Sequence, residues 1–138
     1  MSDSALPGWT PVSAETHETQ CRELEGLVRG LSHQARVLDL GAGDGRLAVP
    51  LAAFGCAVTA VDNDPRACAA LRDAGIDTVL WEFTSADDPP EPLGGSAFDL
   101  VLCAGNTFCL LHAPDDALRL VRRVRGWLGD CGVFAIDD

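Results

Sequence analysis

The residues best suited to chemistry cluster around one turn, Asp39-Leu40-Gly41-Ala42-Gly43-Asp44-Gly45, followed by Arg46. Glycines spaced Gly-x-Gly-x-Gly permit a sharp bend and let the main chain approach a ligand that a side chain would hold off. Between a strand and a helix, the turn also borders helix amides that have no intrahelical acceptor. Dinucleotide sites place a pyrophosphate there and favour Gly-x-Gly-x-x-Gly. Here Arg46 stands where the third glycine of that pattern belongs. Asp39 and Asp44 repel a pyrophosphate and suit a ligand carrying ammonium and sulfonium charges instead. Twenty-one residues after Gly41, Asp62 closes the apolar run Cys56–Val61. An acid in that place can accept hydrogen bonds from both ribose hydroxyls. A glycine turn alone signals only local geometry. Strand, turn, helix, second strand and terminal acid together point to a cationic nucleoside.

Other reactive side chains carry less. Cys21, Cys56, Cys68, Cys103, Cys109 and Cys131 form no C-x-x-C pair, and most sit in apolar patterns. They read as buried, reduced thiols rather than zinc ligands or a disulfide framework. Cys103 and Cys109 flank a candidate site loop, which leaves a redox or nucleophilic role open for them. His17, His33 and His112 lack metal-ligand spacing, so no metal site is expected.

The net charge is −11, and all ten basic residues are arginines. An acidic surface repels phosphate backbones, so nucleic acid is not an expected partner. The one basic cluster, Arg119, Arg122, Arg123 and Arg125, reads as the solvated face of a helix. No run is long and apolar enough for a membrane span, and no basic-then-apolar leader opens the chain, so a cytoplasmic protein is expected.

The elements that must hold the turn follow from periodicity. Residues 1–15 contain Pro7, Gly8 and Pro11 and read as a flexible lead-in to one domain over 16–138. Apolar residues at helical spacing predict a helix from Thr16 to Leu31. Strands are expected at Ala35–Leu40, Cys56–Val61, Thr78–Phe83, Phe98–Cys103 and Val133–Ile136. Helices are expected over Arg46–Phe54, from the Asp64-Pro65 cap to Gly75, and from Pro114 onward. The last should bury Leu118, Val121, Val124 and Leu128, and Gly129-Asp130-Cys131-Gly132 should turn the chain into the fifth strand. Strands apolar on both faces, alternating with helices, predict an α/β domain with a doubly wound parallel sheet. Ligands of such sheets bind beyond the carboxyl ends of the strands. The chemistry-bearing residues follow the strands in just that way.

The chain resembles the class I S-adenosylmethionine-dependent methyltransferases of the broad small-molecule type. Val37 to Arg46 match that family's first motif, Val61-Asp62-Asn63-Asp64 its second, and Phe98 to Cys103 its fourth strand, followed by Ala104 to Phe108. Leu118 to Ile136 match its helix, glycine turn and fifth strand. The likeness covers roughly residues 20–137. It implies a Rossmann-like fold and S-adenosyl-L-methionine as cofactor, with S-adenosyl-L-homocysteine as product. It also implies roles for single residues. The backbone of Gly41, Ala42 and Gly43 would face the methionine part, with Asp39 near its amino group. Asp62 would hold the ribose and Asn63 would lie against the adenine. Glu82 or Asp87 would meet the adenine amine, with Glu82 favoured, and Ala104, Gly105 and Asn106 would close over the cofactor.

Methyl transfer is an in-line displacement, so the protein mainly binds, aligns and desolvates the partners. His112 is the candidate base where the acceptor needs one. Trp81, Phe83 and Phe108 read as core packing. Members of the family continue beyond the fifth strand with two more, whereas this sequence stops at Asp138, as a fragment or a short natural form. An apolar edge strand invites pairing, so a homodimer through that side is expected. The function expected is methyl transfer to a small-molecule acceptor. The alternative is a non-catalytic module that only binds the cofactor. A nicotinamide-dependent oxidoreductase is disfavoured by the loop spacing and by the lack of a substrate domain.

Overall fold

The computed structural model describes residues 13–93, 97–104 and 113–136. Five strands form one parallel sheet: β1 (Arg36–Leu40), β2 (Ala57–Asp62), β3 (Asp77–Leu80), β4 (Phe98–Cys103) and β5 (Leu128–Ile136). Their order is β3-β2-β1-β4-β5, which reverses direction between β1 and β4. The expected doubly wound α/β architecture is therefore present. The helices are α1 (Ala14–Val28), α2 (Ala48–Ala53), α3 (Pro65–Asp73) and α4 (Pro114–Trp127), with a 3-10 turn over Glu91–Leu93.

Successive side chains of a strand point to opposite faces, so each central strand feeds two cores. Val37, Val58, Ala60, Leu100 and Leu102 pack with Leu24 and Val28 of α1, Ala48 and Leu51 of α2, and Leu71 of α3. Leu38, Leu40, Val61, Val101 and Cys103 pack on the other side with Phe83, Leu93 and the α4 residues Leu120, Val124 and Trp127. This two-sided burial explains the continuous apolar runs of β1, β2 and β4. Among the described residues no helix is long and apolar enough to cross a membrane.

Local signals act as their chemistry dictates. The Ser13 hydroxyl accepts from Thr16 N at 3.2 Å and caps α1. Asp64 caps α3 by accepting from Arg66 N at 2.9 Å, and Pro65 occupies the first turn. Pro50 lies in the first turn of α2, where its missing amide costs little.

Three sequence expectations are corrected. Strand β3 stops at Leu80 rather than Phe83, because Trp81 N donating to Asp62 O at 3.0 Å is followed by a turn closed by Ser85 N on Glu82 O. Phe83 then swings into the core beside α4. Strand β5 begins at Leu128 rather than Val133, and its pairing with β4 jumps from Phe98–Leu128 to Leu100–Val133, so Gly129 to Gly132 form an irregularity within the strand instead of a turn ahead of it. A Cβ on Gly132 would lie 2.8 Å from Phe98 O, so the bare glycine lets β5 close against β4. Finally, Leu118 and Val121 of α4 are exposed, and the buried stripe is Leu120, Val124 and Trp127. Both stripes have helical spacing and share Val124. The one carrying the large indole is buried, where Trp127 meets Trp81 edge-on at 6.3 Å.

Candidate functional site

Strand register brings the chemistry to one edge. Asp39 lies opposite Ala60 of β2 and Leu102 of β4, while Asp62 lies opposite Leu80 of β3. The segments after Leu40, Asp62, Leu80 and Cys103 thus leave the sheet side by side, where the strand order reverses. A ligand cleft forms at such a point because the connections on its two sides diverge to opposite faces.

The glycine turn is fastened to the end of β2. Gly41 N and Ala42 N both donate to Val61 O, at 2.8 and 3.1 Å. Gly43 N donates to one carboxylate oxygen of Asp62 at 2.8 Å, and Asp64 N donates to the other at 2.9 Å. The first amides of the turn therefore serve β2. An ionised carboxylate has about four acceptor positions, so Asp62 retains capacity for two hydroxyl donors. Gly43 has φ +60° with nothing within 4 Å of where a Cβ would stand. Its glycine supplies conformation and an open surface. Gly45, at φ +98°, is different: a Cβ there would lie 2.8 Å from Val49 and 3.2 Å from Leu71. That glycine lets the turn pack on the neighbouring helices.

Asp39 is 3% exposed, the one charged residue among the buried described residues. Burial raises its pKa to about 7, against the lowering influence of Arg46 and with a further rise from Asp62. Its ionised form is short of compensating positive charge, as a site for an ammonium group requires. The guanidinium of Arg46 donates through Nη1 to the side-chain oxygen of Gln20 on α1.

On the far side of Asp62, Asn63 donates through Nδ2 to Glu82 Oε2 at 2.5 Å. The other Glu82 oxygen accepts from Thr84 Oγ1 at 2.8 Å. Glu82 thereby stands at the end of β2, whereas Asp87 lies farther along the loop, exposed, its amide bonded to Ser85 Oγ. Ala104 follows the last residue of β4, half-buried. Gly105, Asn106, Phe108, Cys109 and His112 lie outside the described residues. Asp39, Gly41 to Gly43, Asp62, Asn63 and Glu82 lie together at the carboxyl ends of β1, β2 and β3.

Other side chains are placed away from this edge or inside the fold. Trp81 and Phe83 pack in the second core. Cys56, Cys68 and Cys103 are buried, Cys21 is half-buried and Cys131 is exposed. Burial pushes the Cys56 and Cys68 thiols above their ordinary value. Among the described residues no three His, Cys, Asp or Glu side chains could hold a metal ion together.

The expected solvated arginine face is also corrected. Arg119 and Arg123 reach from α4 to the loop after β3. Arg119 donates to Thr84 O at 3.1 Å, and Arg123 donates to Ser85 O and Asp87 O, both at 2.7 Å. Their signal in the sequence was the spacing of four residues, which places both on the same helix face.

An open parallel sheet in this order, with a glycine turn after the first strand and an acid closing the second, defines the Rossmann-like class. The chain belongs to the methyltransferase-domain family, whose model matches residues 37–132. It is similar to the CcbJ methyltransferase from Streptomyces caelestis, at 31% identity and TM-score 0.70, over 85% of this chain and 48% of that one. A TehB-like S-adenosylmethionine-dependent methyltransferase from Corynebacterium glutamicum is 25% identical with TM-score 0.66, over 88% of this chain and 70% of that one. The glycopeptide N-methyltransferase MtfA, complexed with S-adenosyl-L-methionine, shares the fold at 23% identity and TM-score 0.68, over 91% of this chain and 59% of that one. The chain spans about half the length of CcbJ. No curated protein matches it.

Proposed function

We propose that this chain forms the cofactor-binding core of an S-adenosylmethionine-dependent methyltransferase acting on a small-molecule acceptor. The observation that carries the reading is the pair of carboxylates held on either side of one glycine turn. Asp39 is buried with a raised pKa, and Asp62 is bonded to the turn through Gly43 N. Such a pair of acceptors fits a ligand with a cationic amino-acid end and a ribose, and the open side of Gly43 admits it.

The cofactor, when bound, supplies the electrophilic methyl group. Asp39 would compensate its ammonium, and the backbone of Gly41, Ala42 and Gly43 would border the methionine part. Asp62 would accept from the ribose hydroxyls. Asn63 and Glu82 would meet the adenine, with Glu82 accepting from its amino group. Ala104, Gly105 and Asn106 are proposed to close the cleft over the reacting centre and exclude water. His112 is the proposed base where the acceptor must lose a proton. The reading extends to a cytoplasmic location and to a homodimer through the outer edge of β5, where Val133 and Ile136 are exposed.

Calorimetric titration with S-adenosylmethionine and S-adenosylhomocysteine, followed by transfer of labelled methyl to a panel of small acceptors, tests this. Micromolar binding with turnover is the expected result. Binding without turnover on any acceptor leaves only a binding module, and no binding of either ligand overturns the reading.

A further inference from the structure

The loop after β3 has a problem that its own sequence does not solve. From Trp81 to Pro90 it has left the sheet, and although Glu82 O and Pro90 O accept from Ser85 N and Leu93 N, the carbonyls between them lack ladder partners and must be satisfied some other way. The same loop carries Glu82, whose carboxylate stands beside Asn63 at the candidate site. Wherever the loop settles, Glu82 goes with it.

The partners come from α4. Arg123 donates through Nη1 to Ser85 O at 2.7 Å and Phe83 O at 3.4 Å, and through Nη2 to Asp87 O at 2.7 Å. Its guanidinium carbon stands 5.2 Å from the centre of the Trp81 ring. One turn earlier, Arg119 donates to Thr84 O at 3.1 Å and is itself steadied by Asp116 at 3.0 Å. Two guanidinium groups thus bind four carbonyls of consecutive or nearby residues. Burial and the neighbouring Arg119 lower the pKa of Arg123, opposed by Asp88 and Asp87, but an arginine stays charged through the working range. A lysine cannot reproduce the arrangement, because its compact ammonium has no planar fork with which to span three acceptors.

We propose that Arg123, supported by Arg119, is a positioning residue that sets the Glu82 carboxylate for recognition of the adenine amino group, and so governs base specificity. This rests on the proposed role of Glu82 in cofactor binding. Neither arginine touches the ligand in this scheme. Arg123 acts through the loop backbone, and the bonds from Asn63 and Thr84 complete the placement of the carboxylate.

The test compares S-adenosylhomocysteine with S-inosylhomocysteine, in which a carbonyl replaces the amino group, by calorimetry on the 138-residue chain. A hydrogen bond to a charged acceptor predicts about a tenfold or greater preference for the adenine form in the wild type. Glu82→Gln should abolish that preference. Arg123→Gln should reduce it to within about threefold, mainly by weakening the adenine ligand, and Arg123→Lys should fall in between. Arg122→Gln, altering an exposed arginine of the same helix, should leave it intact. Thermal melts confirm that each variant is folded, and Arg123→Lys decides the matter if Arg123→Gln is not.

A wild type that binds neither ligand overturns the functional reading itself. A wild type that binds both equally overturns the role of Glu82 and this inference with it. Loss of preference in Glu82→Gln, with full preference kept in a folded Arg123→Gln or Arg123→Lys, overturns the positioning role alone.

Discussion

Two aspartates on the neighbouring strands β1 and β4 show how differently the two ends of one sheet treat a carboxylate. Asp39, toward the carboxyl end, is buried and has its pKa raised to about 7, chiefly by that burial. Asp99, toward the amino end, also feels burial as its largest influence, and that influence alone would raise its pKa. Hydrogen bonds from Arg36 N at 2.8 Å and His33 Nε2 at 3.0 Å, with the charges of those residues, outweigh it and bring the net shift below the ordinary value. The amino end satisfies its acid internally and uses it to tie the start of β1 to β4. The carboxyl end withholds that compensation. An end of the sheet that is fully satisfied contributes stability, and one left short of positive charge suits the cationic ligand proposed for it.

The largest expected effect lies in how stability responds to pH at Asp39. Between the unfolded value of 3.8 and the folded value of about 7, the native state holds a proton that the unfolded chain has released. The contribution of this group is therefore complete below about pH 4 and is lost as pH rises through about 7. Chemical denaturation of the wild type and Asp39→Asn across pH 4–8 should show the wild type losing ground by on the order of a few kcal/mol. The variant should also bind S-adenosylmethionine about tenfold more weakly at pH 8, the loss of one charge-assisted contact. Parallel stability curves would erase the contrast with Asp99.

Next in size is the separation of binding from folding. Asp62→Ala removes the proposed acceptor of both ribose hydroxyls and should weaken S-adenosylhomocysteine about a hundredfold, read by calorimetry. Asp99→Ala should instead leave that affinity unchanged and cost about 1 kcal/mol of unfolding free energy, because it removes the hydrogen bond that ties the solvent-accessible Arg36 amide to β4. Affinity loss in Asp99→Ala would show that the two ends are not independent. The smallest effect is His33→Ala, expected to cost about 0.5 kcal/mol since the His33–Asp99 contact is largely solvent-exposed.

Much of this was legible from local patterns. The apolar runs of β1, β2 and β4 reflect burial on both faces, which leaves little freedom in how they are read. The glycine turn, Asp62 and the Asp64-Pro65 cap each follow from short-range backbone chemistry. What stayed hidden depends on distant partners. Leu118 and Val121 satisfy helical periodicity as well as Leu120 does, and only the opposing surface, with Trp81 and Leu93, decides which stripe is buried. Arg119 and Arg123 look like solvated charges because their acceptors are backbone carbonyls, which leave no mark in composition. The relative placement of Glu82 and Asp87 was hidden for a related reason. The point at which β3 leaves the sheet places Glu82, rather than Asp87, against Asn63.

The fastening of the glycine turn to β2 has a consequence for the timing of binding. With the Gly41, Ala42 and Gly43 amides already bonded to Val61 and Asp62, this part of the cleft is ordered before any ligand arrives. Those three amides should exchange slowly with solvent deuterium in the free protein and change little on saturation. Little conformational entropy then has to be surrendered at the turn, and association there should proceed as a docking event rather than a folding one.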